Sequence, residues 1–251
     1  MSFGVVEGDP DAGPDAVTVA EIDGHPFGRL QRTGQRWALA DVRLLSPILP
    51  SKIVCVGRNY AEHAAEHGAK VPAEPLLFLK PSTAVIGPAD AIRLPPQSSQ
   101  VEHEAEVAAV IGPPGARRAD RAAAEQAIFG WTCANDVTAR DLQRADDQWT
   151  RAKGFDSFCP LGPWITTDVD MSDREVRCEV NDEVRQLGRT SDMVFDPAAL
   201  VSYVSHVMTL LPGDVVLTGT PAGVGPLQAG DTVVVRVGGV GELSNPVVNL
   251  E

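Results

Sequence analysis

Glu104-Ala105-Glu106-Val107-Ala108-Ala109-Val110-Ile111 is the stretch on which the reading of this chain turns. Its second half is an unbroken apolar run, the composition of a buried strand. Its first half places two carboxylates at i and i+2, which leave a strand on the same face. At a solvated strand end the two charges would simply face water. At the entrance to a core they need a compensating cation, and hard divalent ions prefer such oxygen ligands. A third acid, Asp136, closes another apolar run, Trp131-Thr132-Cys133-Ala134-Asn135-Asp136. Its alternative role is a helix N-cap, because a helix is expected from about Thr138.

Working outward, strands are expected at residues 53–56, 75–79, 163–167, 175–180, 215–218, 232–237 and 240–248, with shorter pieces at 16–22 and 36–42. Helices are expected at 59–66, at 119–128 and from 196, where Asp196-Pro197 supplies an N-cap and a proline at the first helical position. Asn181-Asp182 suits the tight turn of a hairpin, since both residues tolerate left-handed backbone. No internal repeat is present. The balance is α+β and β-rich, not the alternating βαβ pattern of a doubly wound sheet. Ser46-Pro47-Ile48-Leu49-Pro50 reads as a linker, because its prolines oppose continued helix or sheet. It separates a small N-terminal domain, residues 1–50, from a larger domain, residues 51–251.

The net charge of −13 and the absence of a basic patch argue against nucleic-acid binding. The longest apolar stretch, residues 200–211, is broken by Ser202, Ser205 and His206, so no membrane span is expected. Residues 1–15 lack the basic and apolar regions of a signal peptide. Cys55, Cys133, Cys159 and Cys178 form no CxxC pair, so neither a zinc ribbon nor a disulfide framework is indicated. Buried free thiols and a cytoplasmic location follow as expectations.

Gly57-Arg58-Asn59-Tyr60-Ala61-Glu62-His63-Ala64-Ala65-Glu66-His67 is the second dense segment. On a helix His63 and Glu66 share a face. A carboxylate beside an imidazole raises its basicity and fixes its orientation, which suits a base that activates water. An exposed helical ion pair is the alternative. His63-x-x-Glu66-His67 also matches the HxxEH pattern of inverted zinc peptidases, with two zinc ligands and Glu66 as base. That reading leaves Glu104, Glu106 and Asp136 unexplained.

Six collinear segments carry a resemblance: residues 53–63, 76–83 around Lys80, Glu104-Ala105-Glu106, residues 135–143, residues 153–160 from Lys153, and residues 213–221 through Gly219-Thr220. Together they resemble the fumarylacetoacetate hydrolase family over roughly residues 50 to 250. The resemblance implies a mixed β-roll catalytic domain behind a small N-terminal domain, and a homodimer. It implies Mg²⁺ or Mn²⁺ held by Glu104, Glu106 and Asp136, and a catalytic His63–Glu66 dyad on a segment that orders over the substrate. It further implies Lys153 in catalysis and substrate contacts from Arg58, Tyr60, Gln143 and Thr220. Arg140 and Asp141 lie within a motif, with an internal salt bridge as the alternative to a substrate role.

The implied activity is that of a metal-dependent enzyme acting on a small β-dicarbonyl or 2-oxo acid through a metal-stabilised enolate. It would be an acylpyruvate-type hydrolase or a dienedioate isomerase/decarboxylase of aromatic catabolism, with oxaloacetate decarboxylation as an alternative. The animal member of tyrosine breakdown has a further acidic ligand before its histidine. Val54-Cys55-Val56-Gly57 has none, which places the pattern nearer the bacterial branch. Outside this class stand the zinc peptidase and a non-catalytic dicarboxylate-binding module.

Overall fold

The computed structural model describes residues 1–8, 16–66 and 68–250. Residues 9–15, His67 and Glu251 lie outside the described residues. Two compact units are present, Met1–Leu44 and Leu45–Glu251.

The first unit holds an antiparallel sheet of Phe3–Glu7, Thr18–Asp23 and Gln31–Ala38, in that order. Val17, Ala20 and Ile22 are buried there. The strand expected at 36–42 instead spans Gln31–Ala38 and gives way to a 3-10 turn, Leu39–Asp41. Its limits are set by pairing, from Asp23↔Gln31 to Thr18↔Ala38, along polar and mostly exposed residues that show no apolar periodicity.

The second unit is built on a seven-stranded mixed sheet. Its order is Leu76–Lys80, Ile53–Gly57, Val215–Leu217, Ala105–Ile111, Ile128–Asn135, Cys159–Thr166, Val85–Ile86. A five-stranded sheet, ordered Glu183–Arg189, Glu175–Val180, Thr232–Val237, Gly241–Asn249, Ile92–Leu94, shares a core with it. Val233, Val235 and Val237 alternate inward from that sheet and join Ala105, Val107 and Cys133 of the larger one. A second core covers Ala109 and Ile111 with the helices Arg121–Ala127 and Pro197–Val207. Ala105–Ile111 therefore runs between both cores and is buried throughout, which is why it reads as an apolar run and not as an alternating one. Asn181 and Asp182 both take positive φ between the paired Val180 and Glu183, the backbone of a two-residue hairpin turn.

Asp196 Oδ1 accepts from Ala199 N at 3.0 Å with Pro197 at the helix start, and Asp196 Oδ2 accepts from Arg121 Nη1 at 2.8 Å. Asp196→Ala is expected to lower stability by about 1 kcal/mol, read as a lower denaturant midpoint at unchanged slope. No change would mean that the cap contributes nothing here.

Two helix starts differ from expectation. The first helix begins at Ala61, because Asn59 is pinned from its side chain: Nδ2 donates to Phe195 O and Thr218 O, and Oδ1 accepts from Phe195 N. Thr138 and Ala139 are strand, paired with Glu102 and Val101, and the helix follows at Arg140–Ala145. Long-range pairing overrides the local helical signal at both places.

Candidate active site

Glu104 occupies the break between the strands Val101–His103 and Ala105–Ile111, and Asp136 follows Ile128–Asn135. Asp136 N donates to Glu104 O at 2.8 Å, and Glu104 N donates to Asn135 Oδ1 at 2.9 Å. Glu106 stands opposite Ala134 in the same ladder. Two paired strand ends thus gather three buried carboxylates, with one oxygen of each within 4.8 Å of the others. Asp136 is no helix cap: the N-cap position belongs to Ala139, which makes no side-chain bond.

Three buried cations surround this group. Lys153 Nζ donates to Glu104 Oε2 at 2.9 Å and to Asp136 Oδ2 at 2.7 Å. Lys80 Nζ donates to Asp136 Oδ1 at 2.5 Å and to Val137 O at 3.0 Å. Arg140 bridges Glu102 through Nε at 2.7 Å and Glu104 through Nη2 at 2.5 Å. Among the described residues, Glu106 receives a backbone donor alone, Gly219 N at 2.6 Å. Four buried carboxylates, counting Glu102, face three buried cations among the described residues, and Glu106 is the one without an ion-pair partner.

The titration behaviour follows. Burial would raise the Glu104 carboxyl, but Lys153 and Arg140 hold it well below the usual range. Burial, then Asp136 and Glu104, push Glu106 well above it. Burial would lower the Lys153 ammonium, but Asp136 and Glu104 keep it above its ordinary value, so it stays a cation. Three close oxygens, one of them uncompensated, fit a hard divalent ion.

These groups lie at a cleft of about 240 Å³. His63 lines it, with Nδ1 at 3.5 Å from Glu66 Oε2, and Glu66 accepts from Gly223 N at 3.2 Å. His67, which the zinc-peptidase reading needs, lies outside the described residues. The carboxylate trio is the only candidate metal-ligating group found among those described.

Residues 52–248 match the family described as fumarylacetoacetate (FAA) hydrolase C-terminal, and residues 1–47 match Rv2993c-like, N-terminal. The chain belongs to the fumarylacetoacetate hydrolase family. The structure of 2-hydroxyhepta-2,4-diene-1,7-dioate isomerase from Mycobacterium marinum is 54% identical, with a TM-score of 0.91 over 99% of this chain and 94% of that one. Human mitochondrial oxaloacetate tautomerase FAHD2A is 44% identical over 223 residues, 83% of this chain and 70% of the relative. Fumarylpyruvate hydrolase from Pseudomonas aeruginosa, solved with Mn²⁺ and pyruvate, is 33% identical, with a TM-score of 0.75 over 81% of this chain and 91% of that one. The fold is therefore the family's β-rich α+β roll. No helix among the described residues is long and apolar enough to cross a membrane.

In this family member Lys153, Arg58, Gln143 and Thr220 also line the cleft. Gln143 Oε1 accepts from Arg140 Nη1 at 2.5 Å. The Thr220 hydroxyl donates to Ala105 O and accepts from Gln186 Nε2, so it pins its loop to the acidic strand. Tyr60 is not among the lining residues: it is 3% exposed, and its hydroxyl has no partner among the described residues. Asp141 is structural, accepting from Ser98 Oγ and Ser99 N.

Lys80 received no role from sequence, although a lysine closing the apolar run Leu76-Leu77-Phe78-Leu79 is the cationic counterpart of Asp136. Phe78 and Trp149 form an aromatic wall, ring centroids 5.3 Å apart, with the Arg58 guanidinium 6.0 Å from the Trp149 ring. Arg144 lines the cleft as well, and no periodicity marks any of these three.

Proposed function

We propose that this chain is a divalent-metal-dependent enzyme acting on small 2-oxo or β-dicarbonyl carboxylic acids, as an acylpyruvate-type C–C hydrolase or a dienedioate isomerase/decarboxylase. The observation that carries this reading is the buried trio Glu104, Glu106 and Asp136, with no cation paired to Glu106 among the described residues, at a cleft that also presents His63, whose Nδ1 stands 3.5 Å from Glu66. The Mn²⁺ and pyruvate held by the fumarylpyruvate hydrolase relative support it. The tautomerase relative favours a second reading, keto–enol proton transfer on oxaloacetate.

Glu104, Glu106 and Asp136 would hold Mg²⁺ or Mn²⁺, which supplies Lewis acidity to substrate oxygens and charge that balances Glu106. Lys153 spends two of its three donors on Glu104 and Asp136. No described residue accepts a hydrogen bond from the third, and Nζ lies 4.9 Å from the centre of the Phe78 ring, where it would meet negative charge that develops on the substrate. Arg140 keeps Glu104 ionised and oriented. In hydrolysis His63 takes a proton from water and Glu66 stabilises the imidazolium. In tautomerisation the same imidazole moves a proton between carbon and oxygen of the substrate. Phe78 and Trp149 limit the water that reaches this end of the cleft.

The test is a spectrophotometric panel of oxaloacetate, acylpyruvates, fumarylpyruvate and the dienedioate, with chelator-treated protein against protein given Mg²⁺ or Mn²⁺. Metal-restored turnover of at least one substrate is expected. Equal turnover after chelation, or none on any substrate, would sink the reading.

A pH dependence follows from Glu106. Its raised pKa keeps it protonated in the metal-free protein until the pH passes that value, so an incoming cation must displace the proton. Affinity for Mg²⁺ is expected to rise with pH and then level off above the Glu106 pKa. Calorimetry in two buffers of different ionisation enthalpy should show proton release on binding, and an identical heat in both would contradict it.

A further inference from the structure

A second recess, also about 240 Å³, is lined by residues that the cleft does not use, among them His103, Asn181, Arg185, Gly225, Gln228 and Asp231. We propose that it binds a small hydroxycarboxylate, whose hydroxyl donates to His103 Nε2 and whose carboxylate faces Arg185.

His103 is 1% exposed, and its neighbours fix its tautomer. Gln186 Nε2 donates to Thr220 Oγ1 at 2.7 Å and to Pro221 O at 2.8 Å, so the amide oxygen is the acceptor. That oxygen receives Ala105 N at 2.9 Å and stands 2.9 Å from His103 Nδ1. Nδ1 therefore carries the proton and Nε2 presents a lone pair. Nε2 has no hydrogen-bond partner among the described residues. Nε2 opens onto the recess, where a ligand hydroxyl would take the place of solvent as its donor.

Space beside Nε2 is kept open by Gly225, where an added Cβ would stand 3.5 Å from that nitrogen. Gly225 is not among the positive-φ glycines, so its backbone does not demand glycine. The recess wall also leaves a cation available. Asp231 is occupied by Asn181 Nδ2 at 2.8 Å and Gln228 N at 2.7 Å. Arg185 meets Glu183 at 2.9 Å, with side chains 47% and 68% exposed, and a pair so exposed holds the guanidinium weakly. A metal ion is a poor occupant, because His103 would be its one uncommitted ligand.

The test uses full-length, Mg²⁺-loaded protein labelled with ¹⁵N-histidine, with His103 assigned by His103→Asn and followed in long-range ¹H–¹⁵N spectra. Lactate is titrated against propionate, which lacks the hydroxyl. A saturable change at His103 Nε2 is expected with lactate, at least about tenfold weaker with propionate. Arg185→Gln should weaken it, Gly225→Val should abolish it, and Glu106→Gln should leave it intact, which separates this site from the cleft. Arg185→Gln alters an exposed side chain and keeps the test standing if Gly225→Val does not fold. No saturable change (ordered water only), an equal response to propionate, or a response unaltered by Arg185→Gln would overturn the proposal.

Discussion

Lys153→Met protein is expected to lose about 3–5 kcal/mol of stability when metal-free, and to lose turnover by a factor on the order of 10² or more. The methionine fills similar volume, so the loss is electrostatic. Among the described residues, Lys153 Nζ is the one side-chain group that bonds both the Glu104 and the Asp136 carboxylates. Without it, two buried carboxylates face each other and Glu106 with Lys80 and Arg140 alone as counter-charges. A divalent ion at the same place would supply part of the missing charge. Denaturant midpoints should therefore differ most between variant and wild type after chelation, and the gap should narrow with Mg²⁺. A midpoint and a rate both near wild type would remove Lys153 from the site.

His63→Ala is the second large effect. Hydrolysis is expected to fall by a factor on the order of 10² or more, while Mn²⁺ affinity stays close to wild type. The separation arises because His63 lines the cleft but belongs to no metal-ligating group. The same variant discriminates between reactions. If oxaloacetate tautomerisation survives where C–C hydrolysis is lost, the imidazole serves water activation and another group moves the substrate proton. Hydrolysis near wild type would end the assignment of His63 as base.

The carboxylate trio was legible in the sequence for a physical reason: acids at the ends of apolar runs have little solvent to face, so Glu104 and Glu106 at the start of one run and Asp136 at the end of another stand out against their neighbours. The hairpin turn at Asn181-Asp182 and the capped helix at Asp196-Pro197 were legible because the signal is local. The compensating cations were legible only in part. Arg140 makes the internal salt bridge expected as the alternative to a substrate role, but its partners Glu102 and Glu104 lie on strands that long-range pairing brings beside it, and Lys80 looks like an ordinary surface charge until Leu76–Lys80 joins the sheet. Gln186, on the five-stranded sheet, touches Ala105 and Thr220 of distant segments, and no spacing rule joins those three positions. Thr138-Ala139 was misread as helix for the same reason, since its strand partner lies at Val101 and Glu102.

Glu104, Glu106 and the distant Asp136 are proposed to share a single hard cation. Titrating Mn²⁺ into chelator-treated protein, with free ion followed by electron paramagnetic resonance, tests it most directly. The expected result is one ion per chain in the wild type and severely weakened binding in Glu106→Gln. Undiminished binding in that variant, or no specific binding in the wild type, would contradict it.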